Sequence, residues 1–249
     1  MRRVVRLPLD KKVTKYLEKR QSVTNANRGV YLFSATSDWE IARKTKSLKA
    51  VLSTLQRMMD RRERCMYCLD SHGTDIEHFY PKTSYPEKMF FWQNLLLCCT
   101  ECGRFKGDRF PLENGQPLLI DPTIEDPWDH LDFDPDTGNI VARFNLQTNN
   151  WSQKGSTTVE VLHLNCREAL AAVYKKTFRR LSSVIESWLH AGGLPNLEVF
   201  IVSLKDADDH GLLGWCFNGT GQKVYPFCDF HDQYPEVWSD CVAAILIVH

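Results

Sequence analysis

Two Cys-x-x-Cys pairs, Cys65 with Cys68 and Cys99 with Cys102, stand 30 residues apart and constrain the fold more than any other feature of the sequence. A two-residue spacer lets both thiolates of a knuckle reach one tetrahedral ion, and two knuckles complete a four-sulfur site. Zinc is the expected occupant. Four thiolates close its coordination, so the ion is expected to be structural and to tie together the two ends of the intervening segment. A redox role would explain one such pair but not its duplication. Cys98 competes with Cys99 for the fourth place, and only Cys99 preserves the spacing. Cys166, Cys216, Cys228 and Cys241 read as buried apolar thiols.

Nine cysteines, an odd number, in this spacing read as reduced ligands in a cytoplasmic protein and not as a disulfide framework. At 249 residues the chain can bury a core without cross-links. It has no run of eighteen apolar residues, and its start, MRRVVRLPLDKK, lacks the apolar region of a signal peptide, so neither secretion nor membrane insertion is expected. The net charge of zero hides an asymmetry: residues 1–64 carry 17 Lys/Arg against 6 Asp/Glu, and the remainder carries 14 against 25. A basic N-terminal region can contact phosphates, and the acidic remainder can face a basic partner or supply metal ligands. Each single charge also reads as ordinary solvated surface.

Three regions follow from these shifts. Residues 1–64 form a basic, largely helical N-terminal region. KKVTKYLEKR suits a helix and GVYLFSA an extended segment. Ser37 and Glu40 make a capping box, and Leu48, Val51, Leu52, Leu55, Met58 and Met59 recur at helical spacing, predicting one helix from about Asp38 to Arg62. Its basic residues, Arg43, Lys44, Lys46, Lys49, Arg57, Arg61 and Arg62, with Arg64 beyond, read equally as a phosphate-tracking face or as the polar side of an amphipathic helix. Residues 65–111 are the zinc-pinned core. Residues 112–249 hold an acidic loop, a hairpin and a helical C-terminal scaffold or partner-binding region. The acidic loop has seven acids and no Lys or Arg from Asp121 to Asp136. A hairpin turn is expected at Asp136–Asn139, with Gly138 or Asn139 at positive φ. Asn165 with Glu168 repeats the capping pattern, and Tyr174, Phe178, Leu181, Ile185 and Trp188 predict a helix over about 165–190, ended by Gly192-Gly193. The last 57 residues suit helices or a small sheet.

Between the knuckles lies Ile76-Glu77-His78-Phe79-Tyr80-Pro81-Lys82, where strand alternation puts Glu77 and His78 on opposite faces. WQNLLLCC brings Asn94 onto the turn entering the second knuckle. A lone histidine is usually structural, which is the reading for His130, His163, His190, His210, His231 and His249, and His72 sits in a polar turn. His78, behind a Glu and between two knuckles, is the candidate for chemistry.

IEHFYPK, WQNLLLCC and CGRFKGDRFP, within Cys65–Pro111, together resemble the HNH endonucleases. More narrowly they resemble the HNH subunits of Septu anti-phage systems, the PtuB family, which also accompanies certain retrons. The resemblance implies an α+β, predominantly helical fold with a ββα-metal core set between long helices. It implies that His78 is the general base, Glu77 the ligand of one catalytic divalent ion such as magnesium, and Asn94 the residue that holds the hairpin and orients His78. Lys82, Arg104, Lys106 and Arg109 would hold flanking phosphates. The chain departs from the pattern at Gly103, where the family usually has a His or Asn ligand. Asp108, Glu101 or water would then complete the ion's shell. The implied partners are a PtuA-like ATPase and, in retron contexts, a reverse transcriptase with its DNA-RNA hybrid. The substrate would be invading DNA or host RNA such as tRNA. Gly103 keeps an alternative open: a catalytically impaired zinc-fold subunit that binds nucleic acid or protein. A zinc hydrolase of small molecules is disfavoured, because four thiolates leave zinc no open position.

Overall fold

The computed structural model describes residues 1–29, 31–192 and 196–246. Val30 of the expected extended segment, Gly193 of the expected helix stop, the end of the C-terminal apolar run and His249 lie outside them. The fold is α+β and mostly helical, with two-stranded antiparallel sheets. The chain forms two compact units, Val4–Pro117 and Met1–Arg3 with Leu118–His249.

In the first unit, helices α1 (Lys11–Asn27), α2 (Ala35–Ala42) and α3 (Lys46–Arg57) precede strands β1 (Asp75–His78) and β2 (Leu95–Cys98), helix α4 (Thr100–Lys106) and the short pair β3 (Leu112–Glu113) and β4 (Gln116–Pro117). The single helix expected over 38–62 is two. Thr45 accepts from the Leu48 amide at 3.4 Å and restarts the chain as α3, because a Thr side chain at this point satisfies one of the donors a new helix leaves open. The capping residue of α2 is Ser34, which accepts from the Ser37 amide at 3.3 Å, so Ser37 lies inside the helix. Gly29, Tyr31 and Leu32 form turns where an extended segment was expected. Asp38, on α2, accepts from Thr24 Oγ1 at 3.0 Å and from Arg20, which fastens α2 to α1.

Strands β1 and β2 pair antiparallel, with Glu77 opposite Leu96 and His78 opposite Leu95. All four residues of β2 are buried, as the apolar run LLLC demands. Leu48, Val51 and Leu55 of α3 are buried too, at the helical spacing read from the sequence. Each such side chain contributes roughly 1.5–3 kcal/mol by leaving water.

The second unit has two hairpins, β5 (Leu131–Phe133) with β6 (Ile140–Ala142) and β7 (Phe144–Asn145) with β8 (Asn150–Trp151). Helices α5 (Gln153–Val161), α6 (Glu168–His190), α7 (Leu197–Ala207), α8 (Leu213–Asn218), α9 (Phe227–Gln233) and α10 (Pro235–Leu246) follow. The last region is therefore helical where it is described. At the β5–β6 turn Gly138 takes the positive φ, at 82°, and a Cβ there would lie 2.2 Å from the Ala171 carbonyl oxygen. Helix α6 buries Leu170, Tyr174, Thr177, Leu181, Ile185 and Trp188. Asn165 does not cap it: its side chain accepts from the Ile140 amide at 3.0 Å and donates to the Ile140 carbonyl at 2.7 Å, extending the hairpin edge instead. Trp188 and Phe200 meet at 4.2 Å between ring centroids, and Phe217 and Trp238 at 4.6 Å. His210 is buried with Nδ1 2.7 Å from Thr177 Oγ1, a structural histidine as expected. Among the described residues no helix is long and apolar enough to cross a membrane.

Candidate metal centre and acid–histidine pair

The first knuckle is a tight loop. The Leu69 amide returns to the Cys65 carbonyl at 2.9 Å, the Cys65 amide reaches the Ser71 carbonyl at 2.9 Å, and the Met66 amide reaches the Leu97 carbonyl of β2 at 2.9 Å. The second knuckle opens α4, where Cys99 Sγ accepts from the Cys102 amide at 3.4 Å. Cys65, Cys68, Cys99 and Cys102 are thereby brought together, all buried, with their sulfurs within 4.8 Å of one another. Cys68 Sγ and Cys99 Sγ are 3.9 Å apart. Zinc–sulfur bonds of about 2.3 Å in a tetrahedron place sulfurs about 3.8 Å apart, so the set fits a zinc ion. Cys98 stands outside the set and donates to the Cys99 carbonyl at 3.2 Å. Of the four cysteines read as buried apolar thiols, Cys216 and Cys241 are buried, whereas Cys166 is exposed and Cys228 partly so.

Strand β1 carries Glu77 and His78 beside this centre. His78 is 3% exposed, its Nε2 lies 3.0 Å from the Met89 carbonyl oxygen, and its ring meets Trp39 edge-on at 4.3 Å. Burial, with the Lys82 charge second, lowers its pKa to about 3, so the ring is neutral near pH 7. Burial raises the Glu77 pKa, and the charges of Lys106 and Lys82 oppose that rise. Asn94 is 4% exposed and clamps the loop after β1: Oδ1 accepts from the Tyr80 amide at 2.7 Å, and Nδ2 donates to the Tyr80 carbonyl at 3.1 Å and to the Lys88 carbonyl at 3.0 Å. These bonds hold the hairpin. The His78 ring makes its hydrogen bond with the Met89 carbonyl, while the Asn94 amide bonds to the backbone of Tyr80 and Lys88.

Of the four cations expected on phosphates, Arg104 and Arg109 are exposed and Lys82 is partly so. Lys106 is not on the surface. It is 0% exposed and donates to Glu77 Oε1 at 3.0 Å and to the His78 carbonyl at 2.7 Å. Asp108 is exposed, and among the described residues the four cysteines are the only group of three or more His, Cys, Asp or Glu donors brought together. Gly103 lies beside the carboxylate, its Cβ position 3.5 Å from Glu77 Oε2. A magnesium-type ion is held by one or two free carboxylates, with waters and substrate phosphates filling its shell. The residues here offer one carboxylate already held by an ammonium, which does not fit such an ion. Of the basic residues expected to track phosphates between 43 and 64, Arg43, at the end of α2, is engaged by Asp75 at 2.6 Å and Glu40 at 3.3 Å, and Arg64, beyond α3, holds the Leu69 carbonyl at 2.9 Å.

The sequence reading missed Trp39, Met89 and Gln21. Gln21 Oε1 accepts from the Phe90 amide at 2.7 Å, and its Nε2 donates to the Pro86 carbonyl at 3.0 Å. A backbone carbonyl leaves no signal in a sequence. For Lys106 a signal existed: it lies three residues after Gly103 on one helix and therefore shares its face.

Fold and site together define an α+β protein in which a cluster of four cysteines able to hold a metal ion stands beside a strand bearing an acid–histidine pair. The chain is similar to the "Septu protein PtuB" of Bacillus thuringiensis, 31% identical over 132 residues, which are 49% of this chain and 46% of the relative. This agrees with the resemblance carried by the central motifs. The chain thus matches about half the length of that curated relative. A comparison with protein families finds no match.

Proposed function

We propose that the chain is the HNH-type nuclease subunit of a Septu-type anti-phage system and hydrolyses phosphodiester bonds of nucleic acid at the Glu77–His78 end of β1. The observation that carries this reading is one ββα unit joining that pair, the Asn94 clamp and the four-cysteine set, in a chain similar to a Septu protein. In the reaction a water oxygen bonds to phosphorus as the bond from phosphorus to the leaving oxygen breaks. His78 takes the water's proton, and the leaving oxygen takes one from solvent. The Met89 carbonyl selects the tautomer, with Nε2–H donating to it and Nδ1 left to accept. At 3% exposure His78 meets a water only when Trp39 or the 80–89 loop gives way, a movement that a docked substrate or partner would supply. Lys82, whose charge reaches both Glu77 and His78, and the exposed Arg104 and Arg109 would hold phosphates on either side. The magnesium ion implied by the HNH resemblance is not part of this reading, because Lys106 occupies the Glu77 carboxylate.

The partner in this reading is a PtuA-like ATPase, and the complex would work in the cytoplasm, where thiols stay reduced. A second reading, a zinc-fold subunit that binds nucleic acid without cutting it, draws on the burial of His78 and the pairing of Glu77. The test is to co-purify the chain with the ATPase, supply DNA and RNA, and compare wild type with His78→Ala at equal zinc content. Cleavage by wild type alone supports the nuclease. Equal cleavage by both sinks the role of His78, and binding without cleavage by either supports the second reading.

A further inference from the structure

The Glu77 carboxylate already has its cation. Lys106 Nζ is 3.0 Å from Glu77 Oε1 and 2.7 Å from the His78 carbonyl oxygen, with the side chain 0% exposed. An ammonium does not stay buried without acceptors, and these two account for its position. The second observation lies on the other oxygen. The Cβ position of Gly103 is 3.5 Å from Glu77 Oε2, so the residue best placed to add a metal ligand contributes none. Gly103 and Lys106 occupy one face of α4 at a three-residue step. A long side chain at 103 would reach the carboxylate that Lys106 now holds. The absent ligand and the present ammonium are thus two sides of one arrangement. One positive charge neutralises one carboxylate, and a divalent ion at Glu77 would first have to displace the ammonium that Oε1 now holds at 3.0 Å.

We propose that Lys106 is a tethered cation standing in for a divalent ion at Glu77, so that this centre binds no magnesium-type ion. Its catalytic consequence, cleavage that survives chelation, rests on the nuclease reading above; the binding statement does not.

The experiment uses the full zinc-loaded chain with Mn2+ as the probe. Free Mn2+ is followed by electron paramagnetic resonance in wild type and Glu77→Gln. The expected result is no uptake that Glu77→Gln removes. Uptake by wild type that Glu77→Gln abolishes overturns the proposal. A second arm measures urea midpoints for Lys106→Met, Glu77→Gln and the double variant. Lys106→Met is expected to lower the midpoint, or to fail to fold, and adding Glu77→Gln to restore it, because the part-buried carboxylate is then no longer left unpaired. Additive losses overturn the proposal. A preparation that cuts nothing counts against the nuclease reading, while the Mn2+ arm still decides this one. If wild type does cut, loss of cleavage in a chelator that leaves the zinc content unchanged also overturns it.

Discussion

Replacing Asn94 by Ala is expected to loosen the loop after β1 by an amount the structure allows to be worked out. Three hydrogen bonds disappear, to the Tyr80 amide at 2.7 Å, the Tyr80 carbonyl at 3.1 Å and the Lys88 carbonyl at 3.0 Å. Each contributes about 1 kcal/mol net, so about 3 kcal/mol is the ceiling. Tyr80 and Lys88 are only half-buried, so water recovers part of the loss and the expected cost is about 2–3 kcal/mol. Asn94→Asp sharpens the test. It keeps an acceptor for the Tyr80 amide but sets carboxylate oxygen against the Tyr80 and Lys88 carbonyls, so at pH 7 it should cost at least as much as Ala. Its deficit should shrink as acid protonates the carboxyl and restores one donor. Urea unfolding of the zinc-loaded chain gives the stability, and hydrogen exchange at the Tyr80 amide gives the local effect. Asn94→Ala within about 0.5 kcal/mol of wild type, with unchanged exchange, would refute the clamp and return Asn94 to a purely chemical role.

Cys65→Ser with Cys68→Ser should release the zinc and unfold the central unit, read by metal content and circular dichroism; a folded, zinc-free double variant would contradict the scaffold. His78, its pKa lowered from 6.5 to about 3, stays neutral while the unfolded chain takes up a proton, so its contribution to stability is full above about pH 6.5 and declines as pH falls toward 3. His78→Gln should flatten that part of the urea-midpoint profile at constant zinc content, and an unchanged slope would argue against a buried neutral ring. Gly138→Ala meets both the positive φ and the Ala171 carbonyl and should cost more than about 1 kcal/mol, measured by thermal unfolding; a neutral outcome would mean that the turn relaxes freely.

What was legible in the sequence was whatever local spacing decides. Two residues between cysteines fix a knuckle whatever surrounds it, so the four-sulfur set was readable. The apolar steps of α6 were readable for the same reason. Where one residue had two ways to satisfy its polar groups, the sequence did not choose. Asn165 can cap a helix or extend a strand edge, and the choice depends on Ile140, 25 residues earlier. Thr45 can sit within a helix or start one, and apolar periodicity runs past it either way. Lys106 reads as a surface cation until Glu77, 29 residues upstream, is folded against it. Asp108, read as a replacement ligand from its closeness in sequence, faces solvent once α4 has ended.

Gln21 has a mechanical consequence. It sits on α1, yet its amide grips the loop at Pro86 and Phe90, and Phe90 is the next residue after the carbonyl that holds His78. One helical turn of sliding, about 5 Å, would tear both bonds, so α1 cannot travel along its axis and leave that carbonyl where it was. The basic helix is in effect a handle. A load applied to its outer surface is delivered, through Gln21 and the neighbouring Arg20 and Arg28, to the loop whose Met89 carbonyl holds the imidazole.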